Sequence, residues 1–231
     1  MSTGSSTIQG PTYIASVQAG RIAPLGPTGV SSAFVKRPIE GPIRIERLGL
    51  AGDEQADRTV HGGPDKAVYG YARANYNIWR GRFPEHAQLL QAGGFGENLT
   101  IDGLDETTVC IGDIMRAGTV ALQVSEPRQP CFKLALRFGD RRMPKAMMQN
   151  GLCGWYFRVL EPGQLTAGNR VRLEVRLNPD WTIARFHRLI AARSATLGDM
   201  AELAHMEGLA RHWREMGHQT LSTLDSSAAV P

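Results

Sequence analysis

Long apolar runs are the first thing this chain lacks. No segment approaches the roughly 18 to 20 consecutive apolar residues that span a bilayer, so no membrane partner is expected. The opening MSTGSSTIQG has neither the basic nor the apolar region of a secretory signal. Residues 1–11 read as a flexible leader, and the expected compartment is the cytoplasm. Cysteine is scarce too. Cys110, Cys131 and Cys153 are three, an odd number that excludes a complete disulfide framework. Their spacing matches no CxxC metal knuckle, and three scattered thiols fall short of a four-cysteine iron–sulfur cluster. A concentrated basic face is also missing. The 26 Lys and Arg exceed the 22 Asp and Glu by only four, and apart from RFGDRRMPK at 137–145 they are interspersed with acids. Stable nucleic-acid binding is therefore not expected. An anionic small ligand and a solvated surface both account for the surplus.

What is present is enough apolar sequence, 42%, to bury an ordinary core. Short alternating segments at 12–18, 43–48, 67–71, 97–101, 113–117, 119–125, 154–159 and 169–176 predict strands, punctuated by Gly and Pro turns. Residues 72–82 interrupt them with Tyr76, Trp79 and Phe83 at helical spacing. Residues 130–149 read as two short helices broken near Gly139 and Pro144. After LNPD the pattern changes to three helices. Thr182 caps the first, Trp181 and Phe186 staple it, and Ile183, Phe186, Leu189 and Ile190 form its stripe. The second runs from Thr196 to about His205, with Leu197, Met200, Ala201 and Ala204 inward. The third places Leu209, Trp213 and Met216 on one side. The expected organisation is mainly β with α: a β domain over 12–178, a three-helix domain over 179–220 and a disordered tail over 221–231.

Three stretches carry chemistry. In SEPRQPCFKL, Cys131 follows a rigid, basic segment and precedes a predicted helix. Arg128, Lys133 and the positive helix end favour its thiolate, the form that attacks or binds a soft metal. A half-buried inert thiol is the alternative. Cys110 and Cys153 sit in apolar strand contexts and read as core. In GDEQADRTVHGGPDKAVYGY, Gly62, Gly63 and Pro64 enforce a turn where backbone amides approach a ligand closely, flanked by His61, Asp65 and Lys66. Composition alone favours a plain hairpin turn there. GGFGENLT matches neither nucleotide-binding glycine pattern, but it sets Glu97 and Asn98 at a strand start, where side chains line a cavity mouth.

Taken in order and spacing, GLAGDEQADRTVHGGPDKAV, FGENLTIDGL, GDIMRAG and VSEPRQPCFKL resemble the MOSC family, named for the molybdenum cofactor sulfurase C-terminal domain, and within it the bacterial YiiM-type branch with its terminal three-helix domain. The resemblance implies a twisted β-barrel-like domain whose cationic cleft binds molybdenum cofactor, a Mo-pyranopterin. Cys131 is then the thiolate ligand to the metal, and Cys131, His61 and Asp65 are the catalytic candidates. Lys36, Gly62, Gly63, Lys66, Glu97, Asn98, Arg128 and Lys133 are the cofactor-binding candidates. The implied activity is reduction of N-hydroxylated small molecules (hydroxylamino bases, amidoxime-like compounds) to amines, a detoxification. No reductase module is visible, so an external electron-donor reductase is the expected partner, and a homodimer is allowed. Two other readings use the same thiol. One is a cofactor carrier or sulfur-transfer partner, which would need a separate sulfur donor because no pyridoxal-type desulfurase domain is present. The other is a metal-free thiol hydrolase using Cys131, His61 and Asp65.

Overall fold

The computed structural model describes residues 10–56 and 62–228. In chain order the elements are β1 (Tyr13–Ala19), β2 (Ala23–Leu25), β3 (Val30–Ser32), β4 (Arg37–Pro38), β5 (Ile43–Glu46), β6 (Gly49–Leu50), β7 (Val68–Ala72), α1 (Asn75–Arg82), β8 (Leu99–Asp102), β9 (Ile114–Ala117), β10 (Val120–Pro127), α2 (Phe132–Phe138), α3 (Arg142–Asn150), β11 (Trp155–Glu161), β12 (Gly163–Leu165), β13 (Val171–Val175), α4 (Ile183–Ala192), α5 (Leu197–His205) and α6 (Arg211–Ala228). Two 3-10 turns, Pro64–Lys66 and Pro84–His86, each begin with the proline whose missing N–H costs nothing there.

Eight strands form one mixed sheet in the order β13-β9-β10-β11-β7-β8-β1-β4. The β7–β8 pair is parallel, which demands a crossover. Helix α1 supplies it, and that is why a helical pattern interrupts the strands. The sheet is barrel-like without being a continuously paired barrel. Its seam is a bridge between Tyr13 and Arg170, with the Ile14 N–H donating to Asn169 O at 2.9 Å and the Val171 N–H to Thr12 O at 2.8 Å. β10 lies near the middle and is buried at all eight residues, because both of its edges are paired and both of its faces are covered.

The terminal helices share the sheet's core. Trp181, Ile183, Phe186, Leu203, Leu209 and Trp213 belong to one apolar cluster with Val109, Ile111, Leu122 and Val124. Thr182 caps α4, accepting from the Arg185 N–H at 3.1 Å, and Trp181 meets Phe186 edge-on at 5.8 Å, as a staple should. Thr196 and Asp199 form a reciprocal capping box on α5. The structure differs from the sequence expectation in four local ways. Leu197 is exposed rather than inward, at the first helical position after the Thr196 cap. Met216 is also largely exposed. Pro144 sits inside the first turn of α3 and does not break it, the break being at the left-handed Gly139. Helix α6 runs on to Ala228, past residue 220. No described helix is long and apolar enough to cross a membrane.

Phe186 is fully buried and stacks edge-on against both Trp181 and Trp213. Phe186→Ala is expected to cost about 3–5 kcal/mol and to lower one cooperative urea transition. A separate early transition for the helices, with the β signal unmoved, would contradict a shared core.

Candidate functional site

β10 delivers the chain to the site. Beyond Pro127 the Arg128 N–H donates to Gly154 O at 3.2 Å, tying the SEPRQPC segment to the start of β11. Cys131 follows as the N-cap residue of α2, in extended conformation (φ −119°), one position before the first turn. Of the three cysteines, Cys110 and Cys153 are buried and Cys131 is partly exposed. Burial pushes the Cys153 thiol well above its ordinary value, so it is inert.

Cys131 opens onto two adjoining cavities. The first, with about 690 Å³ of empty space, is walled by Phe34, Phe95, Tyr69 and Tyr156 and carries Lys36, Lys66, Arg128 and Lys133 against the carboxylates Asp53 and Glu54. Arg128 is 3% exposed and lies over the faces of Tyr69 and Phe34 at 5.5 and 5.8 Å, a desolvated setting in which such contacts are strongest. Lys36 is buried against Asp53, to which its ammonium donates. Burial pulls the Lys36 ammonium below the ordinary lysine value, against the opposing attraction of Asp53. Asp53 also accepts from Asn98 Nδ2 at 2.8 Å and from the Gly20 N–H at 2.7 Å. Asn98 is in turn fixed by the Tyr69 N–H. Lys36, Asp53 and Asn98 therefore form one rigid wall.

The second cavity is lined by Gly62, Pro64, Asp65, Lys66, Glu126 and Gln129 on the sheet side and by residues of α6 on the other, with Cys131 and Tyr156 between. Asp65 does not point freely into it. Its carboxylate accepts from the guanidinium of Arg158 and from the Arg211 N–H at the start of α6, at 2.8 Å. Burial opposes the charged form, but these donors outweigh it and hold the Asp65 carboxyl below its usual value. Gly63 adopts φ +89°, ψ 177°, backbone essentially closed to residues with a Cβ. That conformation sets the turn from which Asp65 and Lys66 project.

The site thus gathers Cys131, Lys36, Lys66, Asn98, Arg128 and Lys133 around one cleft, with Gly62 and Asp65 at its second cavity. Glu97 stands apart: it is fully buried behind the 93–96 loop, accepting from Tyr76 Oη, from Thr100 Oγ1 at 2.9 Å, and from the N–H groups of Gly93 and Phe95 at 2.7 and 3.2 Å. It shapes the loop whose Phe95 and Gly96 face the cleft. His61 lies outside the described residues. Sequence reasoning missed Asp53, Tyr69, Tyr156, Glu126, His212 and Trp213. Only the first and fourth carried a signal, as acids inside motifs already singled out.

The sequence and architecture match known proteins. Residues 57–172 match the MOSC domain, and YiiM of Escherichia coli K12 is 39% identical over 194 residues, 78% of this chain and 86% of that protein. The chain belongs to the MOSC domain family. Its YiiM-type character extends to solved structures: YiiM of Geobacillus stearothermophilus superposes with a TM-score of 0.76 at 32% identity, covering 90% of this chain and 98% of that one. A protein named "Reductase" from Gibberella moniliformis is 38% identical over 198 residues, 85% of this chain. The MOSC chain spans only about a third (35%) of that protein's length.

Glu97→Ala removes the acceptor of four buried donors, each costing about 1–3 kcal/mol when orphaned. A loss of at least about 3 kcal/mol in urea unfolding is expected, with Thr100→Ala far milder. Unchanged stability would mean that the carboxylate does not order the loop.

Proposed function

We propose that this protein holds a molybdenum cofactor in the cationic cleft through the Cys131 thiolate and uses it to reduce N-hydroxylated small molecules to amines. The observation that carries the reading is the position of Cys131: it is the one partly exposed cysteine of the three, and it sits where a cleft with four cationic side chains meets a second cavity. A thiolate is a fitting ligand for such a metal. The aromatic walls suit a flat ring system, and a surplus of cations over carboxylates suits a phosphate and sulfur-rich anion. Membership of the MOSC family and the likeness to a protein named a reductase support the same reading.

When bound, the cofactor supplies two-electron exchange coupled to transfer of an oxygen atom. The chain's own part is binding and orientation. Lys133 and Arg128 flank the thiolate and offset the ligand's negative charge. The Lys36–Asp53–Asn98 wall fixes the far side of the cleft. Asp65 acts by position, pinning the Lys66 turn to Arg158 and to the first residue of α6. The overall conversion is R–NHOH plus two electrons and two protons to R–NH2 plus water. An external reductase is the source of the electrons.

The test is molybdenum and pterin content of protein from a cofactor-competent host, beside Cys131→Ala, followed by turnover of a hydroxylamino base with an artificial reductant. Near-stoichiometric metal in the parent, lost in the variant, together with amine formation, is expected. Cofactor without turnover would leave a carrier. No cofactor in either protein would remove the reading.

A further inference from the structure

We propose that the cavity between Cys131 and α6 is the substrate side of the site and that Glu126, joined to His212 of α6, is the proton donor there. This rests on the reductase reading above. The two cavities share Lys66, Gln129, Cys131 and Tyr156 but differ in charge. The first is cationic and fits an anionic cofactor. The second has a mixed lining in which apolar Pro130, Trp213 and Met216 stand beside a buried carboxyl, which fits a neutral ring bearing an N–OH group.

One oxygen of Glu126 is not accounted for by the contacts that join α6 to β10. Glu126 is 2% exposed. Oε2 accepts from Trp213 Nε1 at 3.1 Å and lies 3.5 Å from His212 Nε2. Oε1 has no hydrogen bond among the described residues and lies 3.8 Å from Lys66 Nζ. A buried carboxyl oxygen without a hydrogen bond is costly and rare in a purely structural role. Glu126 is among the residues that line the cavity next to the proposed reacting centre. His212 is about half exposed and links the carboxyl to solvent, from which it can be reprotonated.

The chemistry needs such a group. Breaking the N–O bond with two electrons from the reductase leaves one proton to be added to nitrogen and one to the departing oxygen, which leaves as water. Burial, opposed by Lys66 and Trp213, pushes the Glu126 carboxyl up to about 7, so both forms are populated near neutrality. The charged and titratable groups facing it are Lys66 and Asp65 on the 64–66 turn, Tyr156 on β11 and His212 on α6. Tyr156, pushed to about 12 by burial, stays neutral throughout. Burial and Lys66 lower the His212 imidazole, which keeps it free to pass a proton. Because the donor must be protonated, turnover falls as pH rises through about 7.

Glu126→Gln is close in shape, and His212→Gln alters a half-exposed side chain. Loaded Glu126→Gln is expected to keep parental molybdenum and melting temperature, to lose about 100-fold in kcat, and to lose the decline near pH 7. His212→Gln should lose less and keep that decline. Independently of turnover, the infrared carboxylic-acid band of the parent should titrate near pH 7 and be absent from Glu126→Gln. An unchanged kcat and profile in Glu126→Gln, loss of its cofactor, or no such band in the parent would each overturn the donor role. A titrating band in a parent that holds molybdenum but reduces no N-hydroxylated compound would instead overturn the reductase reading, and the donor role with it.

Discussion

The burial of β10 is the constraint on which the rest of the structure depends. All eight residues from Val120 to Pro127 are buried, with β9 paired along one edge and β11 along the other. A strand held on both edges cannot slip without turning every side chain to the wrong face. The segment that leaves it is therefore aimed with little freedom. Glu126, Arg128 and Cys131 reach the cleft because they occupy the last residues of that strand and the few beyond it. Pro127 and Pro130 stiffen the exit. The Arg128 guanidinium, folded over Tyr69 and bonded to Met147 Sδ, locks it from the side.

A second layer of organisation is electrostatic. Buried ionisable groups are tolerated only when paired or neutral, and the molecule uses both solutions around one site. Lys36 is paired with Asp53 and Asp65 with Arg158, while Tyr69 and Tyr156 are kept neutral by burial. Glu97 lies under the loop with four donors around it and so needs no cation. Among the described buried carboxylates, Glu126 is the one with an oxygen that has no hydrogen bond, and it lines the second cavity. The contrast between these two carboxylates, similarly buried, separates a group that holds a loop from one available to a ligand.

The terminal helices are not an appendage in the packing sense. Asp65 joins the 64–66 turn, β11 and the first residue of α6 through one carboxylate. The Ala210 N–H donates to Ser125 O on β10 at 3.0 Å, and Trp213 reaches Glu126. The same contacts that bury the apolar faces of the bundle place His212, Trp213 and Met216 opposite Cys131. Stability and the shape of the second cavity therefore depend on one interface.

Local chemistry made a good deal legible in advance. The strand periodicities, the Thr182 cap and its Trp181–Phe186 staple, the break at Gly139 and the helical insert at 72–82 all follow from near neighbours in the chain. So does the reading of Cys110 and Cys153 as buried and Cys131 as the more exposed thiol, because flanking residues alone distinguish a basic, proline-bounded cysteine from two in apolar strands. What adjacent residues do not encode is which side of the sheet a distant group will face. Glu97 and Asn98 are neighbours in a motif, yet Asn98 lines the cleft and Glu97 is sealed behind it, since successive side chains at a strand start point to opposite faces. The partnership of Glu126 with His212 and Trp213, and of Asp65 with Arg158 and Arg211, joins residues roughly 85 to 145 positions apart. Only the tertiary packing brings them together, α6 against the sheet for Arg211, His212 and Trp213 and β11 beside the 64–66 turn for Arg158, because complementary side chains can pair only where the shared core sets distant segments side by side.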